Sequence, residues 1–484
     1  MQLIGVRDIP FVSRRCYYYE LKHILLWSLL AGLIEGQFAS VVVSKTFHGG
    51  AFLIAVASAT PMASMLFSLA WGMLSVGRRK IPLLMAFVTA TAVTIGLLAI
   101  VPATRAGAVW FVAQMALAQV LLSGVVTIRS AVWRANYPRE ARGRITARLQ
   151  AVRRFLTVVV VLTAAAVCDF DATAYRYIFG AVAVLALVSV IPLRRLRIRG
   201  EKRELAPAAI VRGGDALAPA LPEPFGLTAI LSPGHVLAKM IGVLRDDRRF
   251  RNYCLAQTLT GSANLMTLAI IVTLITRHLA PNGAWGFWVS TALIVALPNL
   301  TLLGSIGRWA RLFDRFGVLH MRVTNVACWL VSLVFAATAA WVVGDADRFG
   351  PYYVPVAAVL FAGRGLLNGL GLGGGTLAWN LGHLHFARPE DAEVYMGVHV
   401  SLTGLRGLIA PVLGMWLWHT IGWSVWLVAL ALSASSLLLY AYMAREERLA
   451  ENQAVGATRG DGLRADSAGP SVNQTSAAAL NPPR

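Results

Sequence analysis

The chain has 484 residues, 57% of them hydrophobic and only 14% charged, with a mean hydropathy of +0.64. Soluble domains carry about a quarter charged residues, so an ordinary water-soluble globule is excluded. The net charge of +21 does not point to nucleic acid, because the Lys and Arg residues lie between long apolar runs, where they orient loops against a bilayer.

In chain order, apolar runs near 20 residues predict helical spans over 24–43, 51–76, 81–101, 107–128, 149–168, 175–193, 253–275, 285–306, 322–343, 352–378, 394–418 and 421–443. Each can cross a hydrocarbon core of ~30 Å. Helix is required, since lipid offers no partner to an open backbone. The first 23 residues carry Arg7, Arg14, Arg15 and Lys22 without a small-residue cleavage site, so the first span reads as a retained anchor. The expected fold is all-α and membrane-integral: about twelve spans in two pseudo-symmetric six-helix bundles, 24–193 and 253–443. Segment 1–23 precedes them, and a basic, Pro- and Ala-rich linker, 194–252, divides them. Residues 444–484 form a tail whose polar composition from 447 onward predicts disorder.

Cations sort to one side. Arg78, Arg79 and Lys80, the Arg134–Arg148 loop, the linker, Arg308, Arg311 and Arg315, and Arg445 and Arg448 all fall on the side of the N-terminus. The bias predicts that both termini and the linker are cytoplasmic in a multi-pass protein of the cell membrane.

The halves repeat each other. Ser28, Gly32, Glu35 and Ala39 of span one share their spacing with Gln257, Gly261, Asn264 and Leu268 of span seven, each displaced by 229 residues. Gln150, Arg154, Thr157 and Val161 of span five answer His399, Thr403, Arg406 and Ala410 of span eleven, displaced by 249. Gln119 and Ser123 answer Arg364 and Asn368. These spacings trace one stripe of a helix. A parallel six-span repeat is a transporter design with its solute site between the halves.

The loops after spans two and eight carry a further signal. Ala310, Asp314, Arg315, Phe316 and Gly317 fit a Gly-x-x-x-Asp-Arg-x-Gly-like pattern, and the partner loop, Gly72 through Lys80, keeps its glycines and cations but lacks the Asp. With the repeat and the long central loop, the chain resembles the major facilitator superfamily over roughly residues 20–445. The resemblance implies alternating access, outer spans three, six, nine and twelve, and a gating role for Asp314, Arg315, Gly317, Arg78 and Arg79. Ordinary helix-end charge is the plain alternative for those five.

Charge inside a span costs ~2.5–3.5 kcal/mol on insertion scales, so it usually faces a bundle interior or water. Glu35, the one acid deep in a span, is a candidate proton carrier or half of a static ion pair. Arg364 with Asn368, Arg406 with His399, Arg154, and Asn264 are candidate substrate contacts, guanidinium being a bidentate partner for carboxylate or phosphate. Arg154 also reads as a side chain snorkelling to the surface, and Arg129 as a topological charge. The glycines at 369, 371, 373 and 375 read as small-residue packing, because no strand precedes their Gly-x-Gly-x-x-Gly match. His383 and His385 lack a third ligand, and Cys16, Cys168, Cys254 and Cys328 are scattered, so neither metal nor cofactor is expected. Gly407, Pro411 and Gly414 resemble an antiporter signature but stand in the other half. No nucleophile–base pair emerges, so an enzyme is not expected.

The expected function is a monomeric secondary transporter for a small organic solute, an anion for preference, coupled to protons. An exporter of apolar or cationic compounds and a non-transporting receptor or assembly factor are the alternatives.

Overall fold

The computed structural model describes residues 9–75, 78–199, 201, 241–281, 285–387 and 392–467, and these contain helices and no strand. The first half comprises α1 (Phe11–Glu35), α2 (Phe38–Lys45), α3 (Ala51–Ala63), α4 (Ser68–Ser75), α5 (Lys80–Gly96), α6 (Arg105–Asn136), α7 (Arg139–Phe170), α8 (Tyr175–Val188) and α9 (Val190–Arg194). The second comprises α10 (Arg248–Leu274), α11 (Gly286–Thr291), α12 (Leu297–Gly344), α13 (Tyr353–Leu381), α14 (Ala392–Ile421) and α15 (Val425–Ser467). Eight helical stretches among the described residues are long and apolar enough to cross a membrane, and α1 with α2, bent by 53°, makes a ninth.

Two of the eight are double. A straight 48-residue α12 would be about 72 Å long, over twice the hydrocarbon thickness. Gly317 breaks it with φ 76° and ψ 179°, a left-handed conformation that a side chain would resist. Its two arms run in opposite directions along α13. On the first arm, Pro298 meets Gly369 and Ser305 meets Gly373. On the second, Asn325 donates to the Gly371 carbonyl, while Ser332 Oγ donates to the Arg364 carbonyl at 3.1 Å. The chain turns back again at Gly422, φ 57°. Helix α14 runs parallel to α10, with Gly261 on Arg406 and Met266 on Gly414. Helix α15 runs antiparallel to α10: Ser436 Oγ donates to the Ala256 carbonyl at 2.7 Å, and Tyr440 lies opposite Tyr253. With these reversals the predicted spans fall mostly on helix, the first being bent at Gly36–Gln37, Ala51–Phe67 being a shorter apolar helix, and Val76 lying outside the described residues.

The repeat is visible in the packing. Helix α1 packs on α7 and α8 as α10 packs on α14 and α15. Helix α5 packs on α6 and α8 as α12 packs on α13 and α15. Gly32 rests on Thr157, and Gly261 rests on Arg406, at the same displacements of 229 and 249. Between halves, α3 packs on α14, and α7 on α11 and α12. The glycines of α13 act as the small-residue stripe predicted: a Cβ on Gly371 would stand 2.5 Å from the Trp329 indole. Large apolar side chains face outward, among them Phe170, Ile100, Val359 and Leu438, as lipid requires and water forbids.

One reading changes. The tail predicted disordered from 447 continues α15 as helix to Ser467. Its first part, Ala444 through Ala454, is rich in Ala, Glu, Arg and Leu, all strong helix formers seeded by the span before them. Residues 468–484 of that tail, 202–240 of the linker, and 1–8 lie outside the described residues.

Candidate functional site between the halves

Glu35 is the last residue of α1, where the chain bends through Gly36 into α2. Helix ends leave carbonyls unpaired, and Gln119 of α6 donates to one of them, that of Ile34. The bend brings Glu35 against α7, where its carboxylate accepts from Arg153 Nη2. Both side chains are partly buried, at 21% and 12% exposure. Arg153 also donates from Nη1 to Gln150 Oε1 at 3.3 Å. Its neighbour Arg154 crosses to the other half, donating from Nη1 to Asn299 Oδ1 on α12 at 3.2 Å. Arg154 therefore stays in the protein interior rather than snorkelling. Gly36 reaches α12's side of the interface too, with Val295 Cγ1 3.2 Å from where its Cβ would be.

Arg364 and Asn368 lie one turn apart on α13, on the face opposite exposed Val359 and Leu366. Gly365 and Gly369 of the same helix pack on Leu297 and Pro298, so Asn299 and Asn368 share a depth. Arg364 is buried, at 6% exposure, and its guanidinium meets no carboxylate among the described residues. Of the cations here, Arg153 is paired with Glu35 and Arg154 with Asn299, while Arg364 is buried on α13.

The other predicted contacts form a second group. Arg406 donates from Nη1 to the Gln257 carbonyl at 2.5 Å and rests on Gly261. His399 is buried with Nε2 3.4 Å from Gln257 Nε2, and its own carbonyl accepts from Thr403. Asn264 donates to the Thr260 carbonyl of its own helix at 3.1 Å. Arg406 therefore turns toward Gln257, and not toward Glu35. Close by, Arg322 is buried and donates to Asn325 Oδ1 and Tyr440 Oη.

The five gating candidates sit at the Arg-rich end of the bundle. Asp314, Arg315, Gly317, Arg78 and Arg79 are all exposed. Among the described residues no ion pair or hydrogen bond joins Asp314 or Arg315 to the other half. Val76 and Gly77 of the partner loop lie outside the described residues.

The opposite end is bridged between halves. Ser44 Oγ and Thr276 Oγ1 lie 2.7 Å apart, Lys45 Nζ donates to the Ala280 carbonyl, and Arg277 Nη2 donates to the Gly49 carbonyl at 2.7 Å. The Asp169 carboxylate accepts from the backbone N–H groups of Phe287 and Trp288, at 2.7 and 2.9 Å.

Sequence reading passed over Arg153, Asn299, Lys45 and Asp169. Arg153 carried a signal: at i+3 from Gln150 it shares the face of the 150–154–157 stripe. Arg129 is corrected from a topological charge to a buried one, its Nη2 2.8 Å from His23 Nε2, close to buried Glu20. Helix α6 simply continues past the predicted span end, to Asn136.

Comparisons agree with this architecture. A nucleoside transporter matches with TM-score 0.58 and 14% identity, covering 89% of this chain and 99% of its own. A D-xylose–proton symporter matches with TM-score 0.62 and 12% identity, covering 88% and 96%. A POT family transporter in complex with 5-aminolevulinic acid matches with TM-score 0.60 and 11% identity, covering 90% and 98%. No curated protein matches the sequence significantly. At these identities the structural likeness speaks for the fold, and the sequence itself matches the Major Facilitator Superfamily over residues 24–380. The chain belongs to the Major Facilitator Superfamily of membrane transporters.

Proposed function

We propose that the chain is a proton-coupled carrier of a small organic anion, working as a monomer by alternating access between bundles 24–193 and 253–443, with both termini and the linker in the cytoplasm. The observation that carries this reading is the Glu35–Arg153 pair set beside Arg154–Asn299 and the acid-free Arg364.

The chemistry follows from charge. With Glu35 ionised, Arg153 is occupied. Protonation removes the carboxylate's charge and frees the Arg153 fork for a solute anion, with Arg154 beside it as a second cation. Arg364 offers a further fork with no internal acid to displace, and Asn299 and Asn368 supply neutral donors at the same depth. Loss of the proton lets Glu35 reclaim Arg153 and expel the anion. Proton and anion then travel together, which is symport. The bridges around Lys45 and Asp169 are those that part in the opposite state, while the exposed Asp314 and Arg315 close on their side.

The test is uptake by proteoliposomes under an imposed pH gradient, screened across carboxylates, phosphates, neutral solutes and organic cations. Gradient-driven uptake of an anion supports the reading. Uptake restricted to cations or apolar compounds, or none for any solute class, overturns it.

A further inference from the structure

A second basic site lies away from the interface of the halves, where the start of α1, the end of α6 and the segment after α9 converge on a cavity of about 170 Å³. Arg15, Arg195, Arg197 and Arg199 line it with Val12 and Tyr19, and among the described residues no carboxylate does. Loop cations orient a membrane protein wherever they sit on the correct side. That rule explains their presence, but not their convergence on one concavity. A single water needs only ~10–15 Å³ of such space, so the cavity exceeds a single ion and suits a phosphate with part of its ester.

The site is held in shape. Buried Asn136 donates from Nδ2 to the Arg197 carbonyl at 3.0 Å and accepts the Arg199 N–H at 3.2 Å. Arg199 Nη2 donates to the Val12 carbonyl at 2.7 Å, fastening the turn to α1. Arg195 stands over the Tyr19 ring, 5.9 Å from its centroid. Arg15, Arg195 and Arg197 are exposed, and no hydrogen bond to another described residue engages their guanidinium groups.

Depth identifies the ligand's source. Val12–Tyr19 precede the apolar run that begins at residue 24 by about 8–18 Å of helix, which places them at headgroup level. The outward face of α1 there carries exposed Phe11 and Tyr18, with Lys22 Nζ 4.3 Å from the Tyr18 ring centroid, the amphipathic pattern of an interface. Basic pockets at this level suit anionic headgroups. We propose that this cavity binds the phosphate headgroup of an anionic phospholipid, through Arg15, Arg195 and Arg197, with Tyr19 and Val12 against the glycerol.

The full chain in neutral detergent, titrated with phosphatidylglycerol, phosphatidylcholine or inorganic phosphate, tests this by thermal shift and by native mass spectrometry of retained lipid. Phosphatidylglycerol is expected to raise the melting temperature, less so at high salt, and phosphatidylcholine to leave it unchanged. The triple variant Arg15→Gln, Arg195→Gln, Arg197→Gln, which touches no backbone bond, should bind phosphatidylglycerol on the order of a hundredfold more weakly. If that variant does not fold, the single variants Arg195→Gln and Arg197→Gln are read instead, each expected near fivefold weaker, roughly. Equal shifts with both lipids, or unchanged binding in the variants, would overturn the site. A full shift from inorganic phosphate, with no gain from the lipid, would assign the cavity to a soluble phosphate and overturn the lipid source.

Discussion

The guanidinium of Arg406 rests on Gly261, one helix away, at the position where Thr157 rests on Gly32 in the first half. Any Cβ at 261 would occupy the guanidinium's place. Gly261→Ala should therefore push Arg406 off the Gln257 carbonyl, a move its flexible side chain makes cheaply, with a net destabilisation of about 1 kcal/mol or less. Pairing it with Arg406→Ala should recover part of the loss. A melting-temperature cycle in which the two substitutions simply add would show that the contact has no energetic weight.

The Glu35–Arg153 pair can serve transport or merely join two helices, and a charge swap separates these roles. A structural pair should survive Glu35→Arg with Arg153→Glu, in both stability and uptake. The coupling reading expects the swapped protein to fold but not to transport, because the acid has moved from α1 to α7. Glu35→Gln alone should abolish the dependence of uptake on the pH gradient while exchange of preloaded solute continues. Unchanged pH dependence in Glu35→Gln ends the coupling reading.

Arg364 holds a buried charge with no acid paired to it among the described residues, a costly arrangement unless a ligand supplies the anion. Arg364→Met should therefore raise the melting temperature of the unliganded protein, or leave it unchanged. It should also weaken solute binding by about 10–100-fold, the worth of a charge-assisted hydrogen bond. A large drop in unliganded stability would show that Arg364 serves the fold rather than the solute.

Ser44 and Thr276 join the halves at the end opposite the arginine-rich loops, with oxygens 2.7 Å apart. Ser44→Cys with Thr276→Cys should form a disulfide under oxidation and hold that end shut. Transport should stop and return on reduction. Oxidised protein that transports at the ordinary rate would show that this end need not open.

Orientation is open to the same kind of chemistry. A single cysteine placed at position 460 should react with impermeant reagent in broken cells and not in intact ones, as the cation bias predicts. Labelling of intact cells would invert the topology.

The fold was legible because a bilayer enforces it: span length, polar cost and loop charge each leave a linear trace. The repeat was legible because Gly32 and Gly261 must be small where a partner helix leans on them. The site was half legible. A stripe gives the face of a helix, so Glu35, Arg154 and Arg364 could be placed in the interior. It does not give which guanidinium reaches which carboxylate, and Glu35 pairs with Arg153, next to Arg154, the candidate substrate contact on that stripe. Likewise the reach of Arg406 toward Gln257 depends on side-chain direction, which spacing alone leaves open.

The reversal at Gly317 also bears on how the protein is assembled. Helix α13 finds its partners close in sequence: Arg364 meets Ser332 at a separation of 32 residues, and Gly371 meets Asn325 at 46. Low-separation contacts form quickly, so the two arms of α12 and α13 can assemble as soon as the last of them is delivered to the membrane. Helix α10 packs mainly on α14 and α15, far later in the chain, with lesser contacts to α3 and α12. Its bonds to His399 and Ser436 span 142 and 180 residues. The Gln257 side chain must therefore wait for His399 until the last two spans arrive, which makes α10 the point where synthesis most needs an insertase or chaperone to shelter a nascent helix.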